Sequence, residues 1–154
     1  MLKEIKVSGV KKTNGRFAIV ASKYNARYVD AMLRAATAIL KKAGAKEIQV
    51  IRVPGAFEIP VVVSKLASIA PAPSAIICLG LILRGATTHA QVVSEVVSQQ
   101  LGEIAVRTCV PVIHEVLLLE SEQQARERCL SKTHNRGAEA ALTALEMSVL
   151  LTKL

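Results

Sequence analysis

The sequence of 154 residues has the length of one domain, and we expect a single domain over residues 1–154. Apolar residues make up 51% and charged residues 21%, which excludes a wholly disordered chain. Aromatic residues make up only 3%, too few for the stacking surfaces of a typical single-stranded nucleic-acid binder. The net charge is +8: residues 1–52 hold 12 Lys or Arg against 3 Asp or Glu, and residues 53–154 hold 8 against 9. The excess positive charge therefore belongs to the first third of the chain.

Signals for export, membrane insertion or metal binding are not found in the sequence. The N-terminus has no apolar core of signal-peptide length, and no stretch approaches the roughly 20 apolar residues of a membrane span. The three cysteines, Cys78, Cys109 and Cys129, are widely spaced and form no CxxC pair. Neither a disulfide framework nor a zinc site is expected. We therefore expect a cytoplasmic protein with reduced thiols, no metal and no membrane partner.

Four apolar runs predict the strands of a parallel sheet. They cover residues 17–21, 48–53, 75–79 with an extension to 83, and 112–119. The runs are nearly continuous rather than alternating, as expected for strands that are buried on both faces. A fifth, weaker strand is predicted near residues 2–7.

Helical spacing of apolar residues separates the strands. It predicts helices over 29–43, 61–70, 92–105, 122–130 and 138–151. Gly44 follows the first helix as a C-terminal signal, Pro60 suits the first turn of the second, and Gly137 is predicted to break the last two apart. This alternation predicts an α/β fold, a three-layer α/β/α sandwich with a four-stranded parallel sheet. Ligands bind such sheets at the carboxyl ends of the strands.

The segments after the first two predicted strands offer binding residues. Tyr24 presents a flat ring with a hydroxyl, although on its own it is better explained as a surface residue that packs on the next helix. Asn25 could cap that helix. Gly55 permits close approach of a ligand, and Glu58 could accept hydrogen bonds from ligand hydroxyls. A favourable charge at a helix N-terminus explains Glu58 about equally well.

The segment after the third strand is the most informative. Arg84, Gly85 and the following small residues enter a helix, so backbone N–H groups and the helix dipole favour an anion there. The Walker and dinucleotide patterns are absent, which favours a compact phosphate. His89 lies in the first helical turn, where it can transfer protons near neutral pH. After the fourth strand, a basic cluster of Arg128, Lys132, His134 and Arg136 is either functional or a solvated turn.

Motifs across most of the chain then resemble one family. They are RFAIVAS at 16–22, Tyr24-Asn25, VPGAFEIP at 53–60, LRGATTH at 83–89, EQQARER at 122–128 and NRGAEAAL at 135–142. In this order and spacing they are similar to lumazine synthases of riboflavin biosynthesis. The resemblance implies a flavodoxin-like fold and a condensation without cofactor. The substrates are 5-amino-6-(ribitylamino)uracil and 3,4-dihydroxy-2-butanone 4-phosphate, and the products are 6,7-dimethyl-8-ribityllumazine, phosphate and water.

The resemblance also implies residue roles. Tyr24 stands where the family stacks an aromatic ring on the pyrimidine, and His89 where it places the proton-transfer histidine. The remaining residues divide by substrate: Asn25, Ala56, Phe57, Glu58, Ile82 and Leu83 for the pyrimidine and ribityl groups, and Gly85, Ala86 and Thr87 for the phosphate.

The resemblance implies a homo-oligomer with sites between subunits. A neighbour in a pentamer would supply His114 for the other face of the ring and Arg128 for the phosphate, with Lys132 and Arg136 as further phosphate candidates. Residues 1–16 would add a strand to a neighbour's sheet. The short bridge from Cys129 to Arg136 favours the shell of sixty subunits.

The chain departs from the family pattern at four places. Ala90, Gln91 and Val92 replace an aromatic, an acid and an aromatic. His114 and Glu115 replace Phe and Gly, and a Leu pair at 118–119 replaces two Thr. The usually Gly-rich stretch between the last two helices reads CLSKTH at 129–134. These departures keep a second hypothesis open, a non-catalytic relative that binds phosphate or a flavin precursor. The charge alone suggests a third, a nucleic-acid-binding protein, but no nucleic-acid motif accompanies it.

Overall fold

The computed structural model describes residues 9–154. Its strands are β1 (Arg16–Ser22), β2 (Glu47–Val53), β3 (Ala75–Leu83) and β4 (Val112–Leu119). They form one parallel sheet in the order β2-β1-β3-β4. The α/β fold with a four-stranded parallel sheet is confirmed, and β3 includes the predicted extension. The predicted strand near 2–7 lies outside the described residues, and so does half of the arm over 1–16 that was expected to join a neighbour's sheet.

Helices cover both faces of this sheet. They are α1 (Ala26–Ala43), α2 (Ile59–Ala67), α3 (His89–Thr108), α4 (Glu122–Ala125) and α5 (Arg136–Leu151), with a 3-10 turn at Ala56–Glu58. One apolar core lies between the sheet and α1 with α5, and the other lies between the sheet and α2 with α3. The helix predicted over 122–130 is α-helical only in α4 and continues as a π-helical turn, Arg126–Leu130.

The prediction that all four strands are buried is wrong for β2. Only Val53 of its seven residues is buried, and Val50 is 43% exposed. The reason is position: among the strands of residues 9–154, β2 lies at the edge of the sheet and pairs only with β1. An apolar run therefore identified a strand but not its place in the sheet.

Two glycines near helix ends have different roles. Gly44 ends α1 in a left-handed conformation (φ 94°), as predicted, and its N–H bonds to carbonyls of the last turn. The prediction that Gly137 breaks two helices is wrong, since it lies inside the first turn of α5. A Cβ on Gly137 would overlap the backbone carbonyl of Met32 in α1. Gly137 therefore allows two helices to touch, and Asn135 caps α5 by accepting the Gly137 N–H at 2.8 Å.

Two further findings in the described residues concern membrane-spanning helices and the state of the cysteines. No helix in residues 9–154 is long and apolar enough to cross a bilayer. The three cysteines are free, with Cys78 and Cys129 buried and Cys109 exposed. Burial raises the pKa of the Cys78 thiol well above its usual value, so this thiol stays protonated.

Candidate active site

A cleft of about 530 Å³ lies at the carboxyl edge of the sheet. β1 leads into α1 on one face and β3 leads into α3 on the other, although the two strands are neighbours. Such a switch point is where ligands bind in doubly wound sheets, and the volume suits a small molecule. The lining includes ten of the predicted residues: Tyr24, Asn25, Ala56, Phe57, Glu58, Ile82, Leu83, Gly85, Thr87 and His89.

The turn after β1 presents an aromatic ring to the cleft. Asn25 adopts a left-handed conformation (φ 56°), and its side-chain Nδ2 donates to the Leu81 carbonyl of β3 at 2.7 Å. Asn25 therefore precedes α1 without capping it through its side chain. Tyr24 is 73% exposed, so its ring is not packed on α1 and stays available for contact.

The turn after β2 holds the one acidic side chain of the cleft lining. Glu58 Oε2 accepts the Gly55 N–H at 2.9 Å, which closes the 3-10 turn. The structural interpretation of Glu58 is therefore correct for this oxygen. The carboxylate remains exposed beside Phe57, which is itself 59% exposed. It can still accept hydrogen bonds from a ligand.

The loop after β3 leads directly into α3. Gly85, Ala86 and Thr87 are exposed, and His89 is the first residue of the helix, as predicted. A Cβ on Gly85 would meet no atom within 4 Å, so the space around this backbone is open. The arrangement offers backbone N–H groups, the positive end of a 20-residue helix and an imidazole side by side.

Four further residues line the cleft: the sequence indicated one of them, Gly55, for close approach of a ligand, and the other three were not predicted. The four are Gly55, Leu81, Ala90 and Val93. Val93 lies one helical turn after His89, and Leu81 lies two residues before Leu83 in the same strand. Helical and strand spacing around the chosen residues could therefore have found them.

The candidates from β4 onwards lie outside the lining of this cleft, and so does Ala86. His114 of β4 lines another groove, between α3, β4 and α5. Its Nε2 lies 2.7 Å from Ser98 Oγ, and its Nδ1 accepts the Val116 N–H at 3.1 Å. Partial burial lowers the pKa of His114, so the ring is neutral near pH 7.

Arg136 is held by two carboxylates. Its Nε lies 3.1 Å from Glu115 Oε2 of β4, and its Nη1 lies 2.8 Å from Glu139 Oε2, one turn along α5. Glu115 is only 6% exposed, and this burial raises its pKa to about 7 although Arg136 lies beside it. Arg128 is half-buried in the π-helical turn, and Lys132 is exposed after it. Arg136 is therefore already paired within the chain.

Comparison with known proteins identifies the family. A family model described as 6,7-dimethyl-8-ribityllumazine synthase matches residues 14–152. The chain belongs to this family. A relative from Desulfotalea psychrophila (strain LSv54 / DSM 12343), named 6,7-dimethyl-8-ribityllumazine synthase, is 40% identical over 151 residues. The match covers 96% of this chain and 97% of that protein. As a member of the lumazine synthase family, the chain is a transferase of riboflavin biosynthesis.

Proposed function

We propose that the chain condenses 5-amino-6-(ribitylamino)uracil with 3,4-dihydroxy-2-butanone 4-phosphate in the cleft at the carboxyl edge. The observation that carries this proposal is the convergence of three strand ends on one cleft. There, an exposed ring, an exposed carboxylate and a helix-terminal loop with His89 line the same space. These groups suit a pyrimidine, a polyol chain and a phosphate, respectively.

The first substrate occupies the side of the cleft near β1 and β2. Tyr24 stacks on the pyrimidine ring, and Glu58 accepts hydrogen bonds from the ribityl hydroxyls. The backbone of Ile82 and Leu83 contacts the ring edge. Asn25 fixes the Tyr24 turn through its bond to Leu81.

The second substrate places its phosphate on the loop of Gly85, Ala86 and Thr87. The substrate amine attacks the ketone to form an imine with loss of water. Phosphate then leaves with the C–O bond electrons as a neighbouring carbon loses a proton. The second amine closes the ring on the remaining carbonyl carbon, whose oxygen leaves as a second water. His89 moves protons beside the phosphate. Holding both substrates together supplies much of the rate through effective molarity.

We propose that a second copy of the chain completes this site. The copy supplies His114 against the other face of the ring, together with Arg128 and Lys132 near the phosphate and Arg136 beside them. Large apolar side chains near the cleft support a covering copy, because Phe57, Val61, Val92 and Val96 are 37–69% exposed. The assembly is a homopentamer in the cytoplasm, and pentamers associate into a shell of sixty.

The direct experiment mixes both purified substrates with the protein and follows the fluorescent lumazine. Formation of product at a rate proportional to protein concentration is expected. Phosphate binding without product would instead identify a non-catalytic relative. Light scattering on the same sample measures the assembly, and a particle of pentamer mass would exclude the shell.

The shared site is tested by mixing two variants. His89→Gln damages the cleft of its own copy. Arg128→Ala removes a side chain that each copy contributes to the site of its neighbour. Each alone should be nearly inactive. Random co-assembly of equal amounts should restore about a quarter of wild-type activity, since that share of sites is intact. No recovery after verified co-assembly would exclude a site shared in this way.

A further inference from the structure

Arg84 connects three elements at the carboxyl edge. It is the first residue after β3, and its backbone N–H donates to the Leu119 carbonyl of β4 at 2.9 Å. Its Nε donates to Glu120 Oε1 at 2.8 Å, just after β4. Its Nη2 donates to Gln91 Oε1 at 2.6 Å, in the first turn of α3. One guanidinium therefore joins both ends of the loop over residues 85–88.

The partners of Arg84 are themselves held. Gln91 Nε2 donates to Glu95 Oε1 at 2.5 Å, one turn further along α3. The backbone N–H of Glu120 donates to Gln124 Oε1 at 2.9 Å. The side chains on either side of the loop over residues 85–88, Arg84 before it and Gln91 after it, are therefore both held by hydrogen bonds.

The loop itself keeps its donors free. Within residues 9–154, the N–H groups of Gly85, Ala86 and Thr87 have no acceptor. The Arg84 guanidinium differs, because Glu120 already balances its charge. A phosphate that bound this guanidinium would have to compete with a carboxylate.

We propose that Arg84 is a positioning residue, which holds the two ends of the phosphate loop through Glu120 and Gln91 and does not itself bind the phosphate. This inference rests on the proposed function of the loop. Arg84 holds the loop that carries the three free N–H groups, and the phosphate is bound by the loop.

Stability and phosphate binding should respond differently to changes at Arg84. Its ion pair with Glu120 is exposed, with 36% and 60% of the two side chains accessible. Exposed pairs of this kind contribute little to stability. Variants should therefore unfold at nearly the wild-type temperature while their phosphate affinity falls.

Glu120→Gln gives opposite results for the two roles that Arg84 could have. If Arg84 holds the loop, the variant loosens it and inorganic phosphate binds about fivefold more weakly. If Arg84 is itself a phosphate ligand, the variant releases the guanidinium and phosphate binds more tightly. Affinity is measured by calorimetry with inorganic phosphate and by its inhibition of lumazine formation.

Glu127→Gln is the matched control. It also removes one exposed carboxylate, but Glu127 bonds to Gln123 instead of Arg84. Arg84→Met should reproduce the weakening seen in Glu120→Gln, with an unchanged KM for the pyrimidine substrate. Arg84→Lys should not restore affinity, because an ammonium lacks the planar fork that reaches both partners.

Tighter phosphate binding in Glu120→Gln, affinity equal to that of the control, or full rescue by Arg84→Lys would each overturn the positioning role. A wild-type protein that makes no lumazine and binds no phosphate would overturn the proposed function, and this inference with it. The two failures are therefore distinguishable.

Discussion

The two regions assigned to the site differ in how far their side chains are already fixed. In the cleft, Tyr24 is 73% exposed and His89 is also exposed. On the side of β4 and α5, His114 bonds to Ser98, and Arg136 is held between Glu115 and a second carboxylate. These exposed cleft side chains are free to contact a ligand or another copy. The side chains of the second region already have hydrogen-bond or ion-pair partners within their own chain. A change in the second region should cost stability, and a change in the cleft should cost activity alone.

The largest effect is expected for Arg136→Met. At about pH 8, where Glu115 is mainly ionised, the variant leaves this buried carboxylate without its cation, so the free energy of unfolding should fall by about 3–5 kcal/mol. Urea unfolding at fixed protein concentration measures this. Arg126→Met is the control, since the Arg126 pair with Glu122 is exposed and 3.6 Å long, and it should cost less than about 1 kcal/mol.

A second substitution separates the lost charge from lost packing. Adding Glu115→Leu to Arg136→Met removes the unpaired carboxylate and should recover most of the lost stability. A double variant no more stable than Arg136→Met would show that the ion pair is not what stabilises this region.

His89→Gln tests the other side of the comparison. Loss of the proton-transfer group should lower kcat about 100-fold, and the unfolding temperature should stay at the wild-type value because His89 is exposed. Stopped-flow or steady-state lumazine formation gives kcat. Glu103→Gln, an exposed change further along α3, should leave kcat unchanged. An equal loss of kcat in both variants would show that His89 has no specific role in the reaction.

The pH dependence of stability gives the smallest of the three effects. Because burial raises the pKa of Glu115 to about 7 in the folded protein, the folded state binds this proton more tightly than the unfolded chain. The contribution of Glu115 to the free energy of unfolding is therefore present at low pH and is lost as the pH rises towards 7. Between about pH 5 and pH 8, the wild type should lose roughly 2 kcal/mol more than Glu115→Gln. Parallel urea titrations of the two proteins would contradict the raised pKa.

The sequence predicted those parts of the fold that depend on local patterns. Apolar runs located all four strands, Gly44 located the end of α1, and Pro60 lies in the first turn of α2 as expected. The exposure of β2 was missed because the order of strands depends on contacts between distant residues. The role of Gly137 was missed for the same reason, since its contact is Met32 of another helix.

For the candidate site, the sequence found residues but not their partners. Arg84 was placed at the start of the predicted anion-binding loop, but the sequence did not reveal that its guanidinium bonds to Glu120, 36 residues away. Arg136 pairs with Glu115 across 21 residues. Ion pairs of this kind follow from how strands and helices meet at one edge, and no spacing in the sequence reveals them. The grouping of the cleft residues was predictable because parallel strands end at the same edge.

The contact of Gly137 with α1 constrains how this chain can vary. Glycine alone among the amino acids has no Cβ, and a Cβ here would occupy the place of the Met32 carbonyl oxygen. Any side chain at position 137 is therefore expected to push α5 away from α1, together with the Asn135 cap and the Arg136 pair beside it. We expect the codon of Gly137 to tolerate synonymous changes better than missense changes.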